Sequence, residues 1–396
     1  MPRKNYNPQN FELDVDHPWT MAIQTNDMVV LNPQLDLDHP DDLDSQTTVS
    51  IEHIRKLMSD IDCKMSDITN LRVSYVNTGD VDEDVYRQSI IDQMPDLDAA
   101  TIEMVPFDRL VLPELLVEIC TYAMTGPGAR SKSAPEGLHH PGGALSQGVK
   151  RGDMIFVGQQ VARDAGGTVL NAGDIKAQAA TTVDRLEQVL NELGADLADV
   201  VRLNIFYDAA TSDADWDACM QLLKQRFGAE AAPSLTAIPL PRLFPAGTQI
   251  MVSAWAMRGR DGARLEKTYV GLDDAHNTPG PVFWRHAVGC GDMVFAGGQS
   301  TVQADGSVGA TGDHIAQTKQ TMANIDALMA PFGEKLQNVH KTNSYYVLNT
   351  VQEFNDNLQT RTDCFVKPGP GSVGLPLDTL THKGQRIEVE AILVKQ

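Results

Sequence analysis

The chain has 396 residues, of which 42% are hydrophobic and 21% are charged, and its formal net charge is −21. This length exceeds one ordinary core, so two or three domains are expected. The acidic excess opposes binding to a nucleic-acid backbone, and no apolar run reaches the ~18 to 20 residues of a membrane helix. The first twenty residues lack the apolar core of a signal peptide, so the sequence predicts a cytoplasmic protein.

A short strand-like motif opens three parts of the chain. It reads "NDMVVLNPQ" from Asn26, "GDMIFVGQQ" from Gly152 and "GDMVFAGGQ" from Gly291, with the same spacing from Asp to Gln each time. A true duplication must keep its register beyond such a motif. It does so, because an ungapped correspondence of about thirty residues begins further along each copy.

An amphipathic helix is predicted at the start of each corresponding block. Apolar residues recur at the spacing of one helix face. These residues are Ile51, Ile54, Leu57, Met58 and Ile61 in the first copy, Val183, Leu186, Val189, Leu190 and Leu193 in the second, and Met322, Ile325, Leu328, Met329 and Phe332 in the third. Asp174 and Asp313 are predicted N-caps, and Gly194 and Gly333 are predicted helix ends.

Each block continues with a strand that ends in tyrosine, then a second helix and a closing strand. The closing strands are "LLVEICTYAM", "TQIMVSAWAM" and "QRIEVEAILV". The repeated unit therefore has two N-terminal strands, a helix, a strand, a helix, and one or two final strands. We assign the units to residues 14–126, 144–258 and 281–396. The segments 127–143 and 259–280 are rich in glycine, proline and polar residues and are predicted linkers.

The motif "GDMIFVGQQ", the block "DIKAQAATTVDRLEQVLNELGADLADVVRLNIFY" and the ending "IEVEAILV" resemble the RidA (YjgF) superfamily of enamine and imine deaminases. The resemblance covers nearly the whole chain outside the linkers and is weakest in the first copy. It implies a chorismate-mutase-like α/β (α+β) fold, with a mixed sheet and two helices on one face. Members of the family form rings of three chains with ligand pockets between them. Three copies in one chain therefore predict an intrachain pseudo-trimer with three unlike clefts.

The chemistry that the resemblance implies is hydrolysis of a reactive imine or enamine, without a metal or an organic cofactor. An arginine holds the substrate carboxylate, and a glutamate positions the water. The arginine position falls on Thr101, Ser234 and Gly371 or Ser372, so no copy keeps it. We align the glutamate with Cys120, Ser253 and Glu390, so that the third copy alone retains it.

Other residues are candidates for a rebuilt site. The family's N-terminal pocket aromatic matches Trp19, Leu145 and Trp284. In "FWRHAV", strand alternation directs Trp284 and His286 to one face and Arg285 to the other. His286 is a candidate acid or base, and Arg285 is a candidate substitute for the missing carboxylate clamp. The alternatives are a hydrogen-bonded sheet histidine and an ion-paired arginine.

Glu390 and Glu388 alternate in "IEVEA" and are predicted to share a face, where one carboxylate raises the pKa of the other. Glu390 is the candidate catalytic acid, and a solvated or salt-bridged pair is the alternative. Ser372, Ser234 and Cys120 occupy family site positions and are candidate substrate-binding residues. The five cysteines show no zinc spacing, so no metal site is predicted.

Two functions remain open at this level. The first is a hydrolase or deaminase that acts on a small imine, enamine or related carbonyl compound at a cleft between units. The second is a non-catalytic small-ligand binder or structural pseudo-enzyme, which the lost arginines favour. The expected partner is a small molecule and not a nucleic acid or a membrane, and assembly beyond the intrachain ring stays open.

Overall fold

The computed structural model describes residues 2–7, 17–228, 232–272, 283–303 and 305–395, which form three six-stranded mixed sheets. The first unit contains, in chain order, β1 (Lys4–Tyr6), β2 (Ala22–Thr25), β3 (Met28–Gln34), α1 (Leu43–Asp60), β4 (Ile68–Val76), α2 (Glu83–Asp92), β5 (Thr101–Phe107) and β6 (Val117–Met124). The strand order in its sheet is β1-β2-β3-β6-β4-β5. Strands β4 and β5 are parallel because α2 connects them, and the other neighbours are antiparallel.

The second and third units repeat this order strand for strand. The second unit contains β7 (Ser131–Ser133), β8 (Gly148–Arg151), β9 (Met154–Val161), α3 (Ile175–Glu192), β10 (Val200–Asp208), α4 (Asp213–Phe227), β11 (Ser234–Leu240) and β12 (Ile250–Met257). The third unit contains β13 (Lys267–Val270), β14 (Ala287–Cys290), β15 (Met293–Gln299), α5 (His314–Met329), β16 (Lys341–Tyr346), α6 (Val351–Thr362), β17 (Gly371–Pro376) and β18 (Ile387–Val394). The tandem triplication predicted from the register is confirmed, including the divergent first copy.

The opening strand of each sheet was not predicted. Strands β1, β7 and β13 have only three or four residues, too few for a clear alternation of polar and apolar side chains. Strands β7 and β13 lie within the segments predicted as linkers and pair with β8 and β14. Part of the second segment, residues 273–280, lies outside the described residues.

The first helix of each unit forms as its apolar spacing predicts. The predicted face residues are buried under the sheets, except Phe332, which is partly buried at the end of its cluster. Asp174 and Asp313 cap α3 and α5 by accepting the N–H of Ala177 and Ala316. Gly194, at φ 75°, follows the last residues of α3 in the left-handed region.

The three sheets close into a ring around a shared barrel. Strand β5 lies against β9, β11 against β15, and β17 against β3, so that each unit touches both others. Their inner faces meet in one apolar cluster, where Trp255 of the second unit contacts Tyr122 of the first and Phe295 of the third. The helices cover the outer faces of the sheets. This arrangement confirms the predicted pseudo-trimer and places three unlike interfaces in one chain.

None of the described helices combines the length and the apolar composition that crossing a bilayer requires.

Candidate functional site

A cleft of about 330 Å³ lies where the third unit meets the first. Strands β3 and β6 and helix α1 contribute from the first unit, and α6 and β17 from the third. Hydrogen bonds join the two units at this junction. The Thr20 N–H donates to the Pro370 carbonyl at 3.0 Å. The Ser372 N–H donates to Asn32 Oδ1 at 2.5 Å across the same seam. The cleft therefore exists only because the chain folds back on itself as a ring.

Arg361 is the buried cation of this cleft, whereas Lys56 in the same lining is exposed and paired with Asp60. Arg361 stands in the last turn of α6 and is 3% exposed. Its Nε donates to Asn357 Oδ1 at 2.9 Å, and its Nη1 donates to Ser344 Oγ at 3.0 Å and to Ser372 Oγ at 3.3 Å. The guanidinium also lies over the ring of Trp19, 5.9 Å from the centroid. These contacts hold the group rigidly while using two of its three nitrogens.

The charge of Arg361 is not balanced by a carboxylate of the described residues. The groups that act on its pKa are the Tyr346 phenol and the Cys364 thiol, and burial lowers that pKa to about 10. Its Nη2 lies 3.6 Å from the point that a Cβ on Gly374 would occupy, and Gly374 lines the cleft. A buried cation of this kind is stabilised by an anionic group brought into the cleft.

Glu118 is the acid of the cleft. It lies on the inner face of β6, is 4% exposed, and its Oε1 has no hydrogen-bond partner among the described residues. Burial raises its pKa to about 8, and Lys341 acts in the opposite direction. The carboxyl group is therefore mostly protonated at neutral pH and is able to donate a proton.

The rest of the lining is mostly apolar. The apolar side chains come from both units and surround the space between Glu118 and the end of α6; they are Leu35, Leu57, Val111, Leu112, Phe354 and Leu358. Such a wall favours a ligand with a hydrophobic group beside its charged one. Among the described residues, no group of three or more His, Cys, Asp and Glu side chains is placed to hold a metal ion.

Two of the predicted site residues, Trp19 and Ser372, lie in this cleft beside Arg361. Cys120 is two residues beyond Glu118 on the same strand and is 1% exposed, inside the barrel. Its substrate-binding role stays a prediction.

Glu390 lies on the barrel axis and not in the cleft. Its carboxylate accepts hydrogen bonds from Arg202 at 2.7 Å and Asn343 at 2.6 Å, and from Arg72 at 3.4 Å. Thr236 donates a further bond at 2.8 Å. The two arginines and these donors outweigh the cost of burial and hold the pKa of Glu390 well below its usual range. This geometry gives Glu390 the role of a charge-balancing group, and its assignment as catalytic acid stays a prediction.

The remaining predicted residues meet at the junction of the second and third units. Ser234 and Arg285 form a parallel bridge, and the Arg285 N–H donates to the Pro233 carbonyl at 2.9 Å. The rings of Trp284 and His286 are in edge contact at 5.1 Å, as strand alternation predicts. His286 Nδ1 is 3.2 Å from Gln299 Oε1, which fits the alternative of a hydrogen-bonded sheet histidine.

Arg285 and Ser234 make further contacts at this junction. The Arg285 guanidinium lies over Tyr269, 5.5 Å from the ring centroid. Ser234 is fully buried and donates to the Val201 carbonyl at 3.0 Å. Glu388 also reaches this junction, accepting a bond from Gln385 at 2.9 Å, and burial raises its pKa to about 7.

Ion pairs cross the interface between the first and second units. Asp84 of α2 pairs with Arg163 of the second unit at 2.5 Å and with Arg87 at 2.7 Å. Arg87 also donates to the carbonyl of Pro141, in the segment between the units, at 2.9 Å. Met251 stands here at the strand position held by Glu118 and Glu388 in the other units. The strand position that carries an acid in the other two units is therefore apolar at this interface.

Sequence reasoning missed Glu118 and Arg361. The signal for Glu118 was present, since Glu118 and Glu388 hold the second position of equivalent closing strands. The alignment placed the family's acid two residues later, at Glu390. Arg361 reaches the cleft from a helix, whereas the family's arginine stands before the penultimate strand.

Buried carboxyl groups give the protein a distinctive pH dependence. Burial raises the pKa of Glu118 to about 8 and the pKa values of Glu388 and Glu83 to about 7. Between pH 6.5 and 8 the unfolded chain has lost these protons, whereas the folded chain still holds part of them. The contribution of these three groups to stability therefore falls as pH rises through this window, by on the order of 1–3 kcal/mol, whereas Lys267, whose pKa burial lowers to about 8, acts in the opposite direction.

Urea denaturation at pH 6.5 and pH 8.0 measures this difference in the free energy of unfolding. The Glu118→Gln variant is the control and should show a smaller loss, because one of the three titrations is gone. A Glu118→Gln variant with the same pH dependence as the wild type would contradict the expectation.

Comparison with known proteins agrees with the fold, and a family model matches the second and third units. The family model described as Endoribonuclease L-PSP matches residues 137–257 and 278–395, more than half of the chain, and the chain belongs to this family. A RutC family protein of Pyrococcus abyssi is 31% identical over 103 residues, covering 26% of this chain and 78% of the relative. A RutC family protein of Pyrococcus horikoshii is 26% identical over 123 residues, covering 31% and 94%.

Among solved structures, a chorismatase matches 85% of this chain and 95% of its own, with a TM-score of 0.59 and 14% identity. Identity this low shows the fold alone. The likeness extends over most of the chain, as expected for a ring of three units held in one polypeptide.

Proposed function

We propose that the cleft between the first and third units is an active site for hydrolysis of a small imine or enamine. The substrate carries a carboxylate and an apolar side group. The observation that carries this proposal is the presence, in one cleft, of a protonated buried carboxyl group, Glu118, and an unbalanced buried cation, Arg361. The activity is that of the RidA-type deaminases that the sequence resembles, with the arginine supplied from a different element.

Arg361 binds the substrate carboxylate. Arg361 lines the cleft together with Gly374, its Nη2 makes no hydrogen bond with the described residues, and the ring of Trp19 covers the guanidinium. Asn357, Ser344 and Ser372 fix the group, so little side-chain freedom is lost when the ligand binds. The anion also removes the cost of leaving this charge unpaired in the protein.

Glu118 transfers the protons. In its neutral form it donates a proton to the imine nitrogen, which makes the carbon more electrophilic. The carboxylate that results takes a proton from the attacking water, and collapse of the adduct releases ammonia and leaves the 2-keto acid. A pKa near 8 suits both steps at neutral pH, because the acid is available and the carboxylate is basic enough.

The test is hydrolysis of imines generated from leucine and phenylalanine by an amino-acid oxidase, followed with the protein and its Arg361→Gln variant. The variant should raise KM by about 10- to 100-fold, the value of one charge-assisted hydrogen-bond pair. Arg285→Gln, at the junction of the second and third units, is the matched control and should leave KM unchanged.

The two variants show which junction contains the active site. Loss of activity in Arg285→Gln with full activity in Arg361→Gln would move the site to the other junction. Tight binding of 2-keto acids without imine hydrolysis would favour the second candidate, a small-ligand binder, which the loss of the family's arginine in all three units supports.

A further inference from the structure

The ring has three junctions between units, and the polypeptide crosses two of them. Segment 127–143 leads from the first unit to the second, and segment 259–280 leads from the second to the third. A linear chain cannot cross the junction between the third unit and the first, which contains the cleft. All five cysteines are free thiols, so non-covalent contacts hold this junction. It lacks the high effective concentration that a linker gives to the other two junctions.

The short opening strand of each unit brings one cation to a junction. Arg3 and Arg130 directly precede β1 and β7, and Lys267 is the first residue of β13. The residue after each cation pairs with the position four residues before the methionine that begins the following strand. These pairs are Lys4 with Gln24, Ser131 with Lys150, and Thr268 with Gly289. The three cations therefore hold the same place in the three units.

The three cations also bind equivalent carbonyl groups of the neighbouring unit. The hydrogen bonds run from Arg3 Nη1 to the Val339 carbonyl at 3.2 Å, from Arg130 Nη1 to the Ile68 carbonyl at 2.9 Å, and from Lys267 Nζ to the Val200 carbonyl at 2.9 Å. Each carbonyl lies two residues before the position where the two parallel strands of its sheet begin to pair. One contact is therefore made three times around the ring.

Arg3 makes further contacts at the junction that has no linker. Its Nη2 donates to the Gly369 carbonyl at 2.6 Å, and its Nη1 also donates to the Gln337 carbonyl at 3.3 Å. Its Nε donates to Asn5 Oδ1 at 2.9 Å, which fixes the plane of the guanidinium. The Gly369 N–H donates back to the Pro18 carbonyl of the first unit at 2.8 Å. Arg3 therefore binds the third unit at several points at once.

These contacts lie beside the strands that hold the cation of the cleft. The acceptors of Arg3 precede β16 and β17, whose Ser344 and Ser372 accept hydrogen bonds from Arg361. Burial lowers the pKa of Arg3 to about 10, so its guanidinium stays charged at neutral pH and its hydrogen bonds are charge-assisted. The contact that joins the units and the walls of the cleft therefore occupy the same part of the junction.

We propose that residues 3–6, which are Arg3 and strand β1, form a strap that closes the ring at the cleft junction, and that the ring opens there first when Arg3 lets go. Glu118 belongs to the first unit and Arg361 to the third, so they lie on opposite sides of this junction. Release of the strap separates the two groups and gives a ligand access to the cleft, and closure brings them together. The strap is a property of the fold, and its link to a substrate rests on the proposed function.

Hydrogen exchange at three equivalent amides tests the strap without a substrate. The three N–H groups donate across the three junctions, from Thr20 to the Pro370 carbonyl at 3.0 Å, from Ser146 to Ala100 at 2.9 Å, and from Arg285 to Pro233 at 2.9 Å. In the wild type the Thr20 amide should be the least protected, because no linker restrains its junction. In Arg3→Met its exchange should accelerate about 10- to 100-fold, the value of the lost hydrogen bonds to a charged group.

Two further variants show whether the effect belongs to the strap. Arg130→Met removes the equivalent contact from another junction and is the matched control, so it should leave Thr20 exchange at the wild-type rate. Arg3→Met should likewise leave the Ser146 and Arg285 amides unchanged. Arg3→Lys should restore most of the protection at Thr20, because Lys267 makes the same contact with an amine.

Three results would overturn the strap. The first is wild-type exchange at Thr20 in a folded Arg3→Met protein, and the second is equal acceleration at all three amides. The third is failure of both Arg3→Met and Arg3→Gln to fold, which would show that Arg3 supports the whole structure and not one junction.

A ligand arm separates the strap from the proposed function. The probe is 4-methyl-2-oxopentanoate, the keto acid formed from the leucine imine. At ten times its Kd it should slow Thr20 exchange about tenfold, because it binds only the closed junction. If the probe has no effect while Arg3→Met accelerates exchange, the proposed function falls and the strap stands. If the probe slows exchange and Arg3→Met has no effect, the ligand site stands and the strap falls.

Discussion

Replacing Glu118 by glutamine should lower kcat for imine hydrolysis by about 10³-fold, the middle of the range for loss of a positioned acid or base. The amide keeps the size of the side chain, but it neither donates a proton to the imine nitrogen nor accepts one from water. KM should change little, because Arg361 still binds the carboxylate. Rates measured against substrate concentration at fixed pH separate the two parameters.

The pH profile of the wild type gives an independent measure of the same role. Glu118 acts first as an acid, and burial raises its pKa to about 8. The rate should therefore fall as pH rises above this value. The residual activity of Glu118→Gln should lack this decline.

Glu388→Gln is the matched control for Glu118→Gln. Glu388 holds the equivalent strand position in the third unit, and burial raises its pKa to about 7, but it lies at the junction with the second unit. Full activity in Glu388→Gln confines the chemistry to the cleft beside Arg361. A loss of activity in Glu388→Gln with a fully active Glu118→Gln would refute the assignment.

The fold was predictable because its evidence repeats along the chain. The same apolar helix face occurs three times at the same distance from the same strand motif, and each occurrence makes chance agreement less plausible. The short strands β1, β7 and β13 escaped prediction, since three or four residues carry no usable periodicity. Each of these strands pairs with the exposed edge of a sheet that the longer strands form.

The site was less predictable, since periodicity reports which face a residue occupies and not which unit it meets. Glu388 and Glu390 share a strand face, as alternation predicts, yet Glu388 reaches the backbone of Ala237 in the second unit and Glu390 reaches the barrel axis. The distinction depends on how the ring closes. Arg361 could not be found from strand positions, because it reaches the cleft from α6, which belongs to the third unit.

Fusion of three units explains how one glutamate came to lie on the axis. In a ring of identical chains, any residue at the axis occurs three times, and three like charges would meet there. In this chain the equivalent positions are Cys120, Ser253 and Glu390, so a single carboxylate is present. It lies between Arg72 and Arg202, which come from two other units.

Removal of that carboxylate should be the most damaging single change to the fold. Glu390→Gln leaves Arg202 without its charge partner and weakens the surroundings of Arg72, which retains Glu103 at 2.7 Å. Breaking one partner of a buried ion pair costs about 3–5 kcal/mol, because the remaining charge stays desolvated. Urea denaturation at pH 7 measures the loss, and Glu390→Gln combined with Arg202→Met should recover part of it.

Low pH should destabilise the wild type in the same way as the Glu390→Gln substitution, because it protonates the Glu390 carboxylate. The folded-state pKa of Glu390 lies below its unfolded value, so the stabilisation is present above about pH 4.5 and is lost as pH falls through the lowered value. The difference in unfolding free energy between wild type and Glu390→Gln should therefore shrink below pH 4. A Glu390→Gln protein as stable as the wild type but unable to hydrolyse imines would instead identify Glu390 as the catalytic acid, since removing a group that acts only in the reaction leaves the folded state intact.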